Sequence, residues 1–260
     1  MKPTLLKQAI GLLQLCEPKT QPYYGCFSGG KDSSVIKHLA ATANVNVIWH
    51  HNVTTIDPPE TIKFIKTQHP DVIFDRPPHN FFTTAIERGF PTRKSRWCCE
   101  TFKESSPPMG SKLIVGIRAT ESKRRANRWK MVNWHSKIHG FVICPIINWT
   151  EKDVWQYIKK NKLPFNPLYN QGFIRTGCIG CPMQGKKYRA MQFKRWPGYE
   201  RKWKELFQNI WKKRAGSTQR DGRAWFGDRY FSSWEEMWNW WMENKNLPDE
   251  KCTGLVGMLS

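Results

Sequence analysis

Residues Tyr23 to Val35, YYGCFSGGKDSSV, pass from a short apolar run through two adjacent glycines into an amphipathic helical pattern. A strand that turns in this way into a helix aims unpaired backbone N–H groups and the positive end of the helix dipole at one point, which suits an anion. Gly29 and Gly30 allow the positive φ values and close backbone approach of such a cradle, and Ser28 and Ser33 add hydroxyl donors. The expected anion is a phosphate chain.

The segments that follow predict the sheet holding this cradle. Asp32 to Ala43 carries Val35, Ile36 and Leu39 at helical spacing, and Val45 to His50 reads as a buried parallel strand. Thr54 to Glu60 is a loop whose prolines precede a helix over Thr61 to Gln68, and Asp71 to Asp75 is a third strand. Alternation of this kind predicts an α/β fold with an open, mostly parallel sheet flanked by helices. Ligands of such sheets sit beyond the carboxyl ends of the strands, so the Thr54 to Asp57 loop is expected to face the glycine loop across a nucleotide.

Further along, Phe81 to Glu87 reads as a helix and Lys112 to Ile117 as a strand that delivers Arg118 to its carboxyl end, placed for bidentate phosphate or sulfate contact. Thr150 is a helix N-cap followed by acidic residues, with Val154, Trp155 and Ile158 on the buried face. Eight cysteines and the lack of a signal-peptide pattern point to free thiols in the cytoplasm, and no apolar run reaches the roughly 18 to 20 residues of a membrane span. Adjacent Cys98 and Cys99, and Cys178 and Cys181 in a C-x-x-C pair, look like ligands of a metal or cluster.

The last third changes character. Between 186 and 229 stand 14 Lys or Arg against 4 Asp or Glu, within a chain of formal charge +21, a balance that attracts polyanions. Tyr199, Trp203, Phe207 and Trp211 recur four apart, as the buried stripe of one helix does, which leaves the cations as the better candidates for polyanion contact. Residues 1–185 are therefore expected to form the nucleotide-binding unit with its cysteines, and 186–260 a basic, aromatic-rich helical extension packed on it, with Ser232 to Glu243 as the last helix.

Gly25, Gly30 and Lys31 also fit the G-x-x-x-x-G-K spacing of the Walker loop, but Asp32 stands where that motif needs a magnesium-binding Ser or Thr. SGGKDS resembles instead the PP-loop of ATP pyrophosphatases, and the order SGGKDS, tandem Cys, Gly-Ile-Arg, Asn-Pro-Leu-Tyr and Gly-Cys-x-x-Cys-Pro resembles the PAPS reductase superfamily over about residues 20 to 205. The resemblance implies an adenine nucleotide alpha-hydrolase-like fold and ATP with magnesium near Asp32. It implies a nucleotide site of Ser28, Gly29, Gly30, Lys31, Asp32, Ser33, Ser34, Thr54 and Arg118, in which Lys31, Asp32 and Arg118 serve catalysis. Its iron-sulfur branch, similar to adenylyl-sulfate reductases and DNA phosphorothioation proteins, implies a [4Fe-4S] cluster on Cys98, Cys99, Cys178 and Cys181; spacing alone leaves zinc open.

Two chemistries follow. In one, ATP is split to AMP and pyrophosphate to adenylate an acceptor for sulfur transfer; in the other, a sulfonucleotide is reduced to sulfite. The intact SGGKDS, and a C-terminal Lys251-Cys252-Thr253-Gly254 without the following His of the reductases, place adenylation first. A non-catalytic nucleic-acid-binding protein on this fold is the third expectation. Expected partners are an adenine nucleotide, tRNA or DNA along Lys186 to Arg229, a sulfur-donor or thioredoxin-like protein and a second copy of the chain, with no membrane.

Overall fold

A computed structural model describes residues 3–218, 224–226 and 229–243. Cys252, Arg220 and Arg223 lie outside the described residues. The chain begins with helix α1 (Pro3–Leu15), then β1 (Tyr23–Cys26), α2 (Lys31–Thr42), β2 (Val47–Asn52), α3 (Pro59–Gln68), β3 (Ile73–Asp75) and α4 (Phe81–Arg88). It continues through α5 (Trp97–Lys103), β4 (Lys112–Ile114), α6 (Lys123–Arg128), β5 (Val132–His135), β6 (Gly140–Ile143) and α7 (Glu151–Lys160). The last elements are α8 (Lys186–Arg195), α9 (Pro197–Thr218), a hairpin of β7 (Ala224–Phe226) and β8 (Arg229–Phe231), and α10 (Trp234–Met242).

Six strands form one sheet in the order β3-β2-β1-β4-β6-β5. The first five are parallel, and β5 runs antiparallel to β6 at the edge. The order reverses between β1 and β4, so the glycine loop after β1 sits where crossovers diverge and a crevice must open. β2 runs two residues past its expected end because His50, His51 and Asn52 pair with β3. β5 has no counterpart in the sequence reading: it is an edge strand whose exposed and covered residues alternate, with too short an apolar signal.

Local chemistry explains the helix starts. Thr150 and Asp153 cap α7 reciprocally, Asn80 caps α4 through Thr83, and Pro59 opens α3. Alternation along the strands sends Tyr23, Trp49, Ile114 and Ile143 to a core under α1, α2, α3 and α7, and Tyr24, Leu113 and Val142 to the other face. A second core contains no strand of the main sheet. Phe81, Phe90 and Phe102 meet Trp203, Phe207, Trp238 and Trp241 there, so the C-terminal helices share their interior with α4 and α5. Trp203 and Phe207 of the aromatic stripe are fully buried. No helix among the described residues is long and apolar enough to cross a membrane.

Candidate active site

The glycine loop has the geometry that its residues demand. Gly29 adopts φ of 71°, open to glycine at little cost, and an added Cβ there would come within 2.8 Å of Thr61. Gly30 is the N-cap of α2, and a Cβ on it would meet the Thr176 hydroxyl at 2.8 Å. Ser33 Oγ and Ser34 Oγ donate to the Gly30 carbonyl, at 2.8 and 3.3 Å, and Ser28 Oγ donates to Ser33 Oγ at 3.3 Å. Lys31 N–H, first in the helix, donates to the Tyr169 hydroxyl at 3.0 Å. Tyr169 and Thr176 therefore close over the loop, two residues that sequence reasoning did not place there; the Asn-Pro-Leu-Tyr motif was a signal for Tyr169 alone.

Charge is concentrated beside the loop. Arg118, 4 % exposed, donates from Nε to Asp32 Oδ1 at 2.6 Å. Lys31 Nζ lies 3.6 Å from Asp32 Oδ2 and 3.4 Å from Glu151 Oε1. The three residues singled out for catalysis are thus brought together. Burial, then the neighbouring Arg175, lowers the pKa of Arg125; Arg118 and Arg96 act in the same sense and Asp32 opposes them. Arg96, Arg118 and Arg175 thus lie near enough to act on Arg125, which is paired with Glu121.

Between the glycine loop and the loop after β2 lies a cleft of about 170 Å³, lined by residues that include Ser28, His51, Asp57, Lys103, Thr176 and Gly177. His51 is buried. Its Nδ1 donates to the Phe27 carbonyl at 2.9 Å, burial lowers its pKa, and Nε2 has no partner, which leaves a neutral acceptor at the cleft wall. Tyr24 stacks on His50 at 4.1 Å and donates to Asp75 at 2.7 Å, with His50 Nδ1 3.1 Å from the same carboxylate. These wall residues occupy alternate faces of β1 and β2, where no motif marks them.

Gly177, in the cleft wall, leads directly to Cys178. Thr54, expected to face the nucleotide, is buried with its hydroxyl 3.4 Å from Cys178 Sγ, while its N–H donates to Asp57. A hydrogen bond from Cys98 pulls the Cys99 thiol down to about 5, helped by Lys103 and Arg96, and the same bond raises Cys98. Arg96 donates to Cys99 Sγ at 3.3 Å. Burial pushes Cys178 up to about 11, and the pKa of Lys103 is raised chiefly by Cys178 and then by Cys99.

The charges of Cys99, Cys178 and Cys181 all bear on Cys98, so the two thiol pairs occupy one neighbourhood. Four thiols flanked by Arg96 and Lys103 fit a thiolate-held centre in donor chemistry and charge. They are not drawn to a common point: among the described residues no three His, Cys, Asp or Glu side chains are gathered tightly enough to hold a metal ion. The seven described cysteines are all free.

Known proteins share this domain and fold. Residues 23–184 match the phosphoadenosine phosphosulfate reductase domain. The chain is 31 % identical over 223 residues to an uncharacterized protein of Methanocaldococcus jannaschii, covering 80 % of this chain and 44 % of that one. It is 30 % identical over 149 residues to adenosine 5'-phosphosulfate reductase 1 of Bacillus subtilis, covering 54 % of this chain and 63 % of that one. It thus spans less than two thirds of the length of each of these relatives. The fold is similar to that of phosphoadenylyl-sulfate reductase from Candida auris in its phosphate complex, with a TM-score of 0.51 at 16 % identity, over 67 % of this chain and 89 % of that chain.

Proposed function

Since this chain belongs to the phosphoadenosine phosphosulfate reductase family, we propose that it is an enzyme that binds ATP, splits it between the α and β phosphates and adenylates an acceptor. The observation that carries this reading is the intact glycine loop, folded into the N-terminus of α2 with Lys31 and Arg118 at its side. An acceptor oxygen attacks the α phosphorus, the bond to the bridging oxygen breaks, and pyrophosphate leaves with that electron pair while the acceptor proton passes to solvent. The loop amides and Lys31 hold the departing charge, and Arg118 neutralises the phosphoryl oxygens. Donors fixed in advance at such positions contribute about 3 kcal/mol each to the transition state.

Asp32 fits a magnesium ion poorly as it stands, because one carboxylate oxygen is on Arg118 and the other faces Lys31. No step is routed through that metal. Cys98, Cys99, Cys178 and Cys181 would hold a [4Fe-4S] cluster, or zinc in its place, and when bound the cluster would supply electron transfer or a site for sulfur beside the nucleotide. Arg96 and Lys103 then offset the thiolate charge. The reading places the protein in the reducing cytoplasm, where free thiols persist.

The acceptor in this reading is a nucleic acid. Exposed Lys186, Lys187, Lys194, Arg195, Arg201 and Lys202 on α8 and α9 support it, while Trp203 and Phe207 of the aromatic stripe are buried away from any stacking role. The sulfur donor would be a partner protein, and a second copy of the chain belongs to the same proposal. A second reading, reduction of a sulfonucleotide, is favoured by the thiols bordering the cleft and by the reductase relatives. In it a thiolate, with Cys252 as the proposed nucleophile, forms a bond to the sulfate sulfur and AMP leaves.

The two readings separate in one assay. Pyrophosphate released from ATP, and lost on replacing Lys31 by Ala, is the expected result. Sulfite formed from adenylyl sulfate with reduced thioredoxin, and lost in Cys252→Ser, would reverse the order. Retention on tRNA or heparin that ignores salt would remove the nucleic-acid acceptor.

A further inference from the structure

We propose that Gln192 of α8 and Trp203 of α9 are positioning residues for the Cys178 and Cys181 thiols, so that the basic C-terminal helices are part of the thiol centre. The inference rests on the reading of those thiols as one centre. Its basis is the fate of the backbone polar groups of a buried loop, which must find partners as the loop is removed from water.

Ile179 and Gly180 are buried, between two half-buried cysteines. The Ile179 N–H donates to the Ile56 carbonyl at 2.8 Å. Gly180 N–H donates to Gln192 Oε1 at 3.0 Å, and Gln192 Nε2 donates to the Cys178 carbonyl at 3.5 Å. Trp203 Nε1 donates to the Ile179 carbonyl at 3.2 Å, and the Cys181 carbonyl accepts from Gln184 N–H at 3.0 Å. One side-chain amide thus spans the loop, gripping a carbonyl at one cysteine and an N–H two residues on.

Gln192 is 1 % exposed on a helix rich in Lys and Arg. A buried amide needs partners at both ends, and among the described residues this one finds both in the C-x-x-C loop. Gly180 has φ of 76°, and a Cβ there would lie 2.6 Å from Trp203 Nε1, so the loop and α9 are in direct backbone-to-ring contact. The same helices reach toward the other thiol pair: Trp241 Nε1 donates at 3.0 Å to the carbonyl of Pro91, in the segment leading to Cys98.

Outer partners that orient ligands commonly change metal affinity 10- to 100-fold when removed. The test compares the full chain with Gln192→Leu, Gln192→Glu and Trp203→Phe. Gln192→Glu keeps the acceptor for Gly180 and loses the donor to Cys178; Trp203→Phe removes the indole N–H and leaves the ring plane filled. Two measurements are made on apoprotein: zinc affinity by competition with a chromophoric chelator, and the alkylation rate of each cysteine by mass spectrometry.

Gln192→Leu is expected to weaken zinc at least tenfold and to speed alkylation of Cys178 and Cys181 severalfold, leaving Cys16 and Cys144 within twofold. Gln192→Glu and Trp203→Phe are expected to fall between it and the unaltered protein. Unchanged zinc affinity and unchanged alkylation in a folded Gln192→Leu would overturn the proposal, as would a uniform rise at all cysteines, the mark of general loosening. Should Gln192→Leu not fold, the other two variants decide on the same criteria. If the unaltered protein binds no zinc, the reading of a shared centre fails, and the alkylation rates alone still decide whether these residues hold the loop.

Discussion

The phosphate loop and the C-x-x-C loop border the same cleft, yet they are built in different ways. In the first, the hydroxyls of Ser28, Ser33 and Ser34 bond within five residues of themselves, and distant segments add only outer contacts, the Tyr169 hydroxyl on the Lys31 N–H and the Asn166 amide on the Gly29 carbonyl. In the second, Cys178 meets Thr54 across 124 positions and Ile179 meets Trp203 across 24. Bonds made by neighbours in the chain survive loss of distant packing, whereas a loop held by distant segments has the stability of the core between them.

Trp241→Ala tests that contrast most severely. It empties a fully buried position in the second core, a change that costs about 3–5 kcal/mol, read as a shift in the urea midpoint. Alkylation of Cys178 and Cys181 should accelerate, while nucleotide affinity of the protein that remains folded stays near the unaltered value. Equal damage to both would erase the distinction between the two sites.

Lys31→Ala should do the reverse. Pyrophosphate release is expected to fall about 10²- to 10³-fold, with the thermal midpoint and the thiol reactivities kept. Loss of the thiol environment in that variant would mean that the two ends of the cleft are coupled.

Acid sensitivity sharpens the comparison on the phosphate side. His69 packs on Phe27 at 4.6 Å, and burial, with Lys37 nearby, brings its pKa down to about 4. The unfolded chain binds the proton more readily than the native one, so this contribution is complete above about 6.5 and is lost as pH falls toward 4. His69→Phe should lose less stability between pH 7 and 4.5, followed by urea unfolding; an identical pH profile would count against it. The smallest effect is expected from Thr150→Ala, which removes one half of the α7 capping box at a cost of about 1 kcal/mol, and should leave both ends of the cleft intact.

What could be read in advance follows the same division. SGGKDS, the helix start at Thr150, the helix after the two prolines, expected from Thr61 and found from Pro59, and the parallel strands are recorded in residues close together along the chain. Lys31, Asp32 and Arg118 were singled out together and do meet, because a strand end delivers Arg118 to the helix start. Thr54 was expected to face the nucleotide and stands against Cys178, because its N–H is held by Asp57 and the loop turns toward the thiols. His51, Lys103 and Tyr169 were not foreseen, since each is an ordinary residue until another segment is packed against it.

The sequence by itself determined a strand, a glycine turn and a helix in succession, since backbone sterics and helix polarity act over a few residues. It determined the family as well, through motifs whose order survives whatever packs around them. Only the tertiary structure decided that the charged C-terminal helices bury their aromatics against α4 and α5 and grip the loop between Cys178 and Cys181. The reason is that burial and hydrogen-bond satisfaction are properties of whole contacts, and a charge pattern along one helix does not record which carbonyl lies beneath it.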